Sequence, residues 1–344
     1  MKYEIKLRIA VSLLIINLSV GCFAQSFDST AVTTTLHKNI KFDGVIKAKF
    51  ETSANDGSMR FNIRNSRLGL RGNIGEYVSY RMQVELSNEG AFAPLDLYGT
   101  LKLCKGLSIR FGQQHIPFDN QYIISPAEMM FANRAFVGKY FTPGSRDIGA
   151  VARYKFPFNA FPLEGEVGIF NGGKINNPRW TNHPSYVARL TAGSMDGFRT
   201  STKIYRYNDE KLFWGIDLHY ANESLRVEAE VMNRTRSINT PDLFGAYIQG
   251  TYTFDFKTPK IFHNFSPAFR WDTMAYDVID TGLDVNRLTF GINFGLDVKP
   301  FESTLRINYE QYLGRNNDFA EFKAHSDYPH VSENKVTIEL LLRF

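Results

Sequence analysis

Apolar and polar side chains alternate along most of this chain, in short stretches that recur. Val78, Tyr80, Met82, Val84 and Leu86 interleave with Ser79, Arg81, Gln83, Glu85 and Ser87. Leu288, Phe290, Ile292, Phe294, Leu296 and Val298 interleave with Thr289, Gly291, Asn293, Gly295 and Asp297. The same pattern runs through 95–103, 225–231 and 305–310. A period of two puts successive side chains on opposite faces of a strand. Beyond the first two dozen residues no stretch of 18 consecutive apolar residues occurs, so membrane-crossing helices are not expected. Dispersed, alternating apolar residues fit strands with one face toward lipid and the other toward water.

The pattern predicts sixteen strands: 40–51, 60–73, 78–88, 94–103, 107–115, 147–155, 163–171, 185–191, 199–206, 213–221, 225–233, 245–256, 264–276, 287–299, 304–313 and 335–344. An even number suits a single-chain bacterial barrel. Within the second strand the phase slips once, because Phe61 and Ile63 are odd-numbered while Leu68 and Leu70 are even. A β-bulge near Asn65-Ser66 would restore the register. With the N-terminus periplasmic, short turns are expected at Ile74–Tyr77, Cys104–Gly106, Asn222–Ser224 and Pro300–Ser303. Longer external loops are expected at Ile116–Arg146, Gly172–Pro184, Arg234–Phe244 and Gly314–Asn334, with Tyr207–Leu212 a short exception. The predicted fold class is all-β: a transmembrane antiparallel β-barrel of about 16 strands.

The two ends refine this picture. Lys2, Lys6 and Arg8, the apolar stretch Ile9–Val20 and Ala24-Gln25 read as a secretory signal peptide cleaved after Ala24. Cys22 raises the alternative of a lipid anchor, but Ser19 stands where a lipobox carries Leu. The expected organisation is a signal peptide at 1–24, an N-terminal periplasmic segment at 25–39 and the barrel at 40–344. Loss of the signal removes three bases and one acid, so a formal charge of +5 becomes +3. That is too weak a bias for nucleic-acid binding. Cys104 is then the only cysteine, which leaves no disulfide framework. At the other end Val336, Ile338, Leu340, Leu342 and Phe344 share one face, so the last strand ends on an aromatic, as outer-membrane barrels do. The 29 Phe and 17 Tyr supply interfacial girdles, with Tyr80, Tyr98, Tyr154, Tyr220, Tyr252, Tyr309 and Phe344 as candidates. Lumen-facing tyrosines would instead form a slide for sugar rings.

Three segments resemble a known family. They are Arg67–Gly72 followed by Tyr80–Glu85, then Leu107-Ser-Ile-Arg-Phe-Gly-Gln-Gln-His-Ile-Pro-Phe118, then Ser125–Arg134. Together they resemble the phosphate-selective porin O and P family, over roughly residues 60–155 plus the final strand. Ala132-Asn133-Arg134 stands where the family carries a Glu-Arg or similar pair, without the Glu. The resemblance implies a sixteen-stranded outer-membrane barrel, commonly a homotrimer, whose third extracellular loop folds inward to narrow the pore. In this chain that loop is Ile116–Arg146.

On this reading the protein is a passive diffusion channel in the bacterial outer membrane. It takes small hydrophilic solutes, with a preference for small anions such as phosphate. Selectivity in such a pore comes from its diameter and from charges beside the path. Candidate anion-binding residues are Arg60, Arg64, Arg67 and Arg71 on the second strand, and Arg81, Lys102 and Arg110 on its neighbours. Arg134, Lys139 and Arg146 on the third loop complete the set. Lys47 and Lys49 add to the same rows. Glu51, Glu85, Asp96, Glu164 and Glu166 are expected in the same lumen, and mixed charge favours general diffusion over a phosphate filter.

Enzyme signatures are weak. Gly168-x4-Gly173-Lys174 imitates a phosphate loop, but Ile175 stands where Ser or Thr would hold magnesium. No nucleophile elbow is present, and His325 and His330 with Asp327 form only a loose loop cluster. Neither catalysis, a cofactor nor a metal is expected. The alternatives to an anion-preferring pore are a sugar-type channel and a receptor or adhesin acting through the loops Arg234–Phe244 and Gly314–Asn334.

Overall fold

The computed structural model describes residues 40–138, 144–158, 161–208, 211–235, 242–257, 261–276, 278, 282–298, 301–313 and 333–344. The chain runs up and down as β1 (Lys41–Ser53), β2 (Met59–Ile63), β3 (Ser66–Ile74), β4 (Val78–Asn88), β5 (Ala91–Cys104) and β6 (Leu107–His115). The helical turn α1 (Asn120–Ile123) interrupts before β7 (Arg146–Lys155), β8 (Leu163–Phe170), β9 (Ser185–Gly193), β10 (Phe198–Tyr207), β11 (Lys211–Ala221) and β12 (Leu225–Arg234). Then come β13 (Leu243–Tyr252), β14 (Phe254–Asp255), β15 (Phe262–Tyr276), β16 (Val285–Val298), β17 (Phe301–Tyr312) and β18 (Lys335–Arg343). Every strand pairs antiparallel with its neighbours, and β18 pairs with β1 from Val45↔Arg343 to Ser53↔Lys335, which closes the cylinder. β2 and β3 are one crossing split by an irregularity, as are β13 and β14, so the eighteen segments make a closed sixteen-stranded barrel. Closure leaves no unpaired strand edge, which hydrocarbon requires.

The split between β2 and β3 falls where the phase slip predicted a bulge. Glu51 pairs with Arg60 and Lys49 with Asn62, whereas Val45 pairs with Arg67. One extra residue therefore sits on the outer strand, and Asn65 absorbs it at φ 56°, a left-handed conformation that Asn tolerates. The buried Ser66 hydroxyl accepts from the Lys47 N–H at 3.1 Å and replaces a ladder bond. The inward row thus passes from Arg60 and Arg64 to Arg67 and Arg71 without turning any of them toward lipid.

The faces are inverted relative to a water-soluble protein. Leu68, Met82, Ile216, Ile248, Phe269, Phe290, Ile292 and Leu340 are exposed, while Lys47, Asp272 and Glu339 on the inner face are fully buried. A continuous apolar exterior is what a lipid-facing wall needs. Among the candidate girdle tyrosines, Tyr154, Tyr220 and Tyr252 are exposed on this outer wall. Tyr98 points inward beneath Arg110, whose guanidinium carbon lies 4.8 Å from the ring centroid.

Connections at the end where β1 begins are short, such as 105–106 and 222–224. At the opposite end they include 116–145 and 171–184. That end also carries a two-residue turn, Glu89-Gly90, with φ of 58° and 89° at its two positions. Both central residues are left-handed, as a tight hairpin compatible with strand twist demands.

Candidate pore and vestibule

The connection between β6 and β7 turns into the barrel. Asp119 caps α1 by accepting from the Gln121 N–H at 2.8 Å. Irregular backbone in a confined space needs partners for its polar groups, and the inner wall provides them. Arg306 donates to the Ala127 carbonyl at 2.9 Å and Arg226 to that of Glu128 at 2.8 Å. Lys49 donates to the Ala132 carbonyl at 2.7 Å, Arg270 to Asn133 at 3.0 Å and Arg287 to Arg134 at 2.9 Å. Acceptors serve the loop N–H groups: Asn308 takes that of Ala132 and Asp272 that of Phe136, each at 2.8 Å. The loop is therefore pinned to β1, β12 and β15–β17.

Apolar packing reinforces this attachment. Ile116, Phe118, Ala135, Phe136 and Val137 of the loop bury themselves among inward-facing Val151, Phe170, Val187, Tyr205, Phe213, Met232, Leu243, Met274 and Tyr312. One side of the upper barrel is filled by a small hydrophobic core. The cations that hold the loop are themselves neutralised: Arg287 pairs with Asp272 at 2.7 Å and Glu310 at 3.1 Å, and Arg306 with Glu339 at 2.9 Å.

Space remains on the other side. A cavity of about 450 Å³ lies between the loop and the wall of β1–β5, and it reaches Ser145, Arg146 and Ile175. Eight of its lining residues are cationic (Lys49, Arg60, Arg64, Arg67, Arg134, Arg146, Arg287 and Lys335), against the carboxylates of Glu51, Glu85 and Glu333. Arg60 pairs with Glu51 at 2.8 Å, Arg67 with Glu85 at 3.3 Å and Arg146 with Asp96 at 2.6 Å. Arg134 makes no ion pair among the described residues; its guanidinium lies over the Tyr122 ring, 4.7 Å from the centroid. Burial lowers the Arg134 pKa to about 10, and the charges of Arg67 and Arg146 push the same way while Tyr122 opposes them. Asp119 moves in the opposite sense: burial, then the nearby Glu230 carboxylate, raises it to about 8.

Residues 36–179 match the family model of the phosphate-selective porins O and P. This part of the chain resembles that family. The whole barrel has the porin fold. OmpF of Salmonella typhi, in complex with daunomycin, superposes with a TM-score of 0.62 at 13% identity, covering 89% of this chain and 98% of its own. The outer-membrane channel DcaP of Acinetobacter baumannii gives 0.57 at 14% identity over 93% and 100%. OmpT of Vibrio cholerae in its trimer form gives 0.51 at 11% over 89% and 98%. No curated protein sequence matches the chain. The chain has the fold of the outer-membrane β-barrel porins.

In this porin fold the nine described candidate cations separate into two groups. Arg60, Arg64, Arg67, Arg134 and Arg146 line the one vestibule. Arg71, Arg81, Lys102 and Arg110 lie toward the end where β1 starts. There Arg81 is tied to Asp43, with Nη2 donating to Oδ1 at 2.7 Å, and Arg71 and Lys102 are exposed. Lys139 lies outside the described residues, as do His325, Asp327 and His330. The expected carboxylates do face the lumen, and Glu164 and Glu166 flank Arg153. Not marked as candidates beforehand were Arg287 and Lys335 in the vestibule, and Arg226, Arg270 and Arg306 beneath the loop. All five sit on the polar phase of alternating strands, so the same period of two applied to the last third of the chain identifies them.

Proposed function

We propose that this porin is a passive, anion-preferring diffusion channel for small hydrophilic solutes, acting as a homotrimer after removal of residues 1–24. The observation that supports it is the vestibule, where eight cationic side chains line a passage narrowed by the inward loop and Arg134 among them has no carboxylate partner among the described residues. Fixed charges close to the path raise the local concentration of counter-ions and set selectivity. Arg67, Arg134 and Arg146 are the residues proposed to meet the anion. Guanidinium stays charged across the physiological range and presents a fork of donors to an oxyanion. Ion pairing with Glu85 and Asp96 tempers Arg67 and Arg146, which favours weak, reversible contact over a tight filter. The trimer is supported by the family and by the trimeric OmpT neighbour.

The test is the reversal potential of the refolded porin in planar bilayers under a tenfold potassium chloride gradient. A potential on the chloride side supports the reading, and phosphate replacing chloride ranks the two anions. Arg67→Glu with Arg134→Glu should cut the chloride-to-potassium permeability ratio by on the order of tenfold. An unchanged ratio in the double variant would remove both residues from the selectivity path.

A further inference from the structure

We propose that the vestibule is a binding site for organic anions, molecules that join an oxyanion to an apolar or aromatic body, with Arg134 receiving the oxyanion. This deepens the anion-channel reading and rests on it. Seven of the eight lining cations have a carboxylate partner, as Lys49 has Glu339 at 3.5 Å, Arg64 has Glu89 at 3.8 Å and Lys335 has Glu310 at 3.6 Å. Arg134 alone has none among the described residues, and its Nη1 is buried with no hydrogen-bond partner. A buried, unsatisfied cationic donor is costly and is relieved by an incoming acceptor. The Tyr122 ring lies beneath the guanidinium and helps to hold it in place.

The rest of the cavity is mismatched to a bare inorganic ion. Its volume, about 450 Å³, lies within the range of small-molecule pockets. Leu95, Met129, Phe136 and Ile175 line it together with the arginines. An inorganic oxyanion would leave these apolar surfaces wet, whereas an organic body would cover them. Phosphomonoesters and carboxylates share the required chemistry.

The experiment uses the full-length mature porin in planar bilayers carrying a chloride current, with phenyl phosphate, benzoate, inorganic phosphate or phenol added. Phenyl phosphate or benzoate should halve the current at a concentration at least tenfold below that of inorganic phosphate, and the ratio of the two tells which oxyanion is preferred. Arg134→Gln should raise that concentration at least tenfold, and Arg134→Lys, which keeps the charge but loses the planar fork, should fall between. Heat-modifiable mobility and insertion into the bilayer as discrete conductance steps establish that each variant is folded. Equal block by inorganic phosphate, equal block by phenol, or full block of Arg134→Gln would each overturn the proposal. The reversal potential measured on the same membranes before any addition separates the two levels. A lost anion preference removes the channel reading and the proposal together, whereas an intact preference without organic block removes only the proposal.

Discussion

The interior of this porin has two unlike halves. On the side of β7–β17 the inward loop is packed into an apolar cluster and tied by its carbonyls to Arg226, Arg270, Arg287 and Arg306. On the side of β1–β5 the same loop faces an open, water-accessible vestibule. Both halves are rich in arginine, yet the residue type does different jobs in each. Where carboxylates and loop carbonyls surround a guanidinium it acts as a structural tie. Where a gap opens beside a guanidinium that has no carboxylate partner among the described residues, as at Arg134, it can meet a solute. Position on the strand thus decides only that a charge faces the lumen; the loop decides what that charge is for.

That contrast can be broken experimentally. The largest effect is expected from Arg287→Ala, which strands Asp272 and Glu310 in the packed half. Removing one partner of a buried ion pair costs about 3–5 kcal/mol, and urea unfolding of the vesicle-inserted barrel by tryptophan fluorescence should register that loss. Single-channel traces should also become noisy as the loop loosens; quiet traces at full stability would show that Arg287 does not hold it. Next comes the outer wall. Ile292→Arg places a charge on the exposed apolar face and should cost roughly 2–4 kcal/mol if the site lies at the bilayer midplane. The same unfolding assay reads it, and a neutral result would argue that this face does not meet hydrocarbon.

A smaller effect is expected from the loop carboxyl Asp119. An ordinary aspartate releases its proton near about 3.9, whereas the folded protein holds this one to about 8. Between those values the folded state binds the extra proton, so this group's contribution to stability falls as pH rises from about 4 to about 8. Asp119→Asn should flatten that part of the stability profile, and an unaltered slope would exclude Asp119 as its source. Least of all, Arg60→Ala in the open half should shift stability by less than about 1 kcal/mol, because its pair with Glu51 involves a half-exposed arginine. A loss comparable to that of Arg287→Ala would erase the distinction between the two halves.

Much of the barrel was legible in the chain. A lipid wall and a wet lumen impose the period of two on every crossing, so sixteen strands could be counted, and the one slip between Ile63 and Leu68 marked a real bulge at Asn65. The roles of the arginines were less legible. Arg287 and the Arg134 carbonyl are 153 residues apart, and Arg306 and Ala127 are 179 apart. Nothing local announces that these cations are consumed by the loop while Arg134 is left unpaired. The two-residue turn at Glu89-Gly90 was also hidden, because five residues from Glu89 to Ala93 read as a connection where β5 in fact begins at Ala91.

The pairing of β1 with β18 carries a consequence for assembly. Val45 and Arg343 are brought together only after every intervening hairpin has found its place. Contacts so remote in sequence form slowly, because a very long stretch of chain must be ordered before they reward it. Until that seam zips, the first strand exposes an unpaired edge and greasy side chains such as Phe42 and Ile46, a combination prone to aggregation. Closure of that seam is therefore expected to be the slow step by which the barrel becomes protected from aggregation.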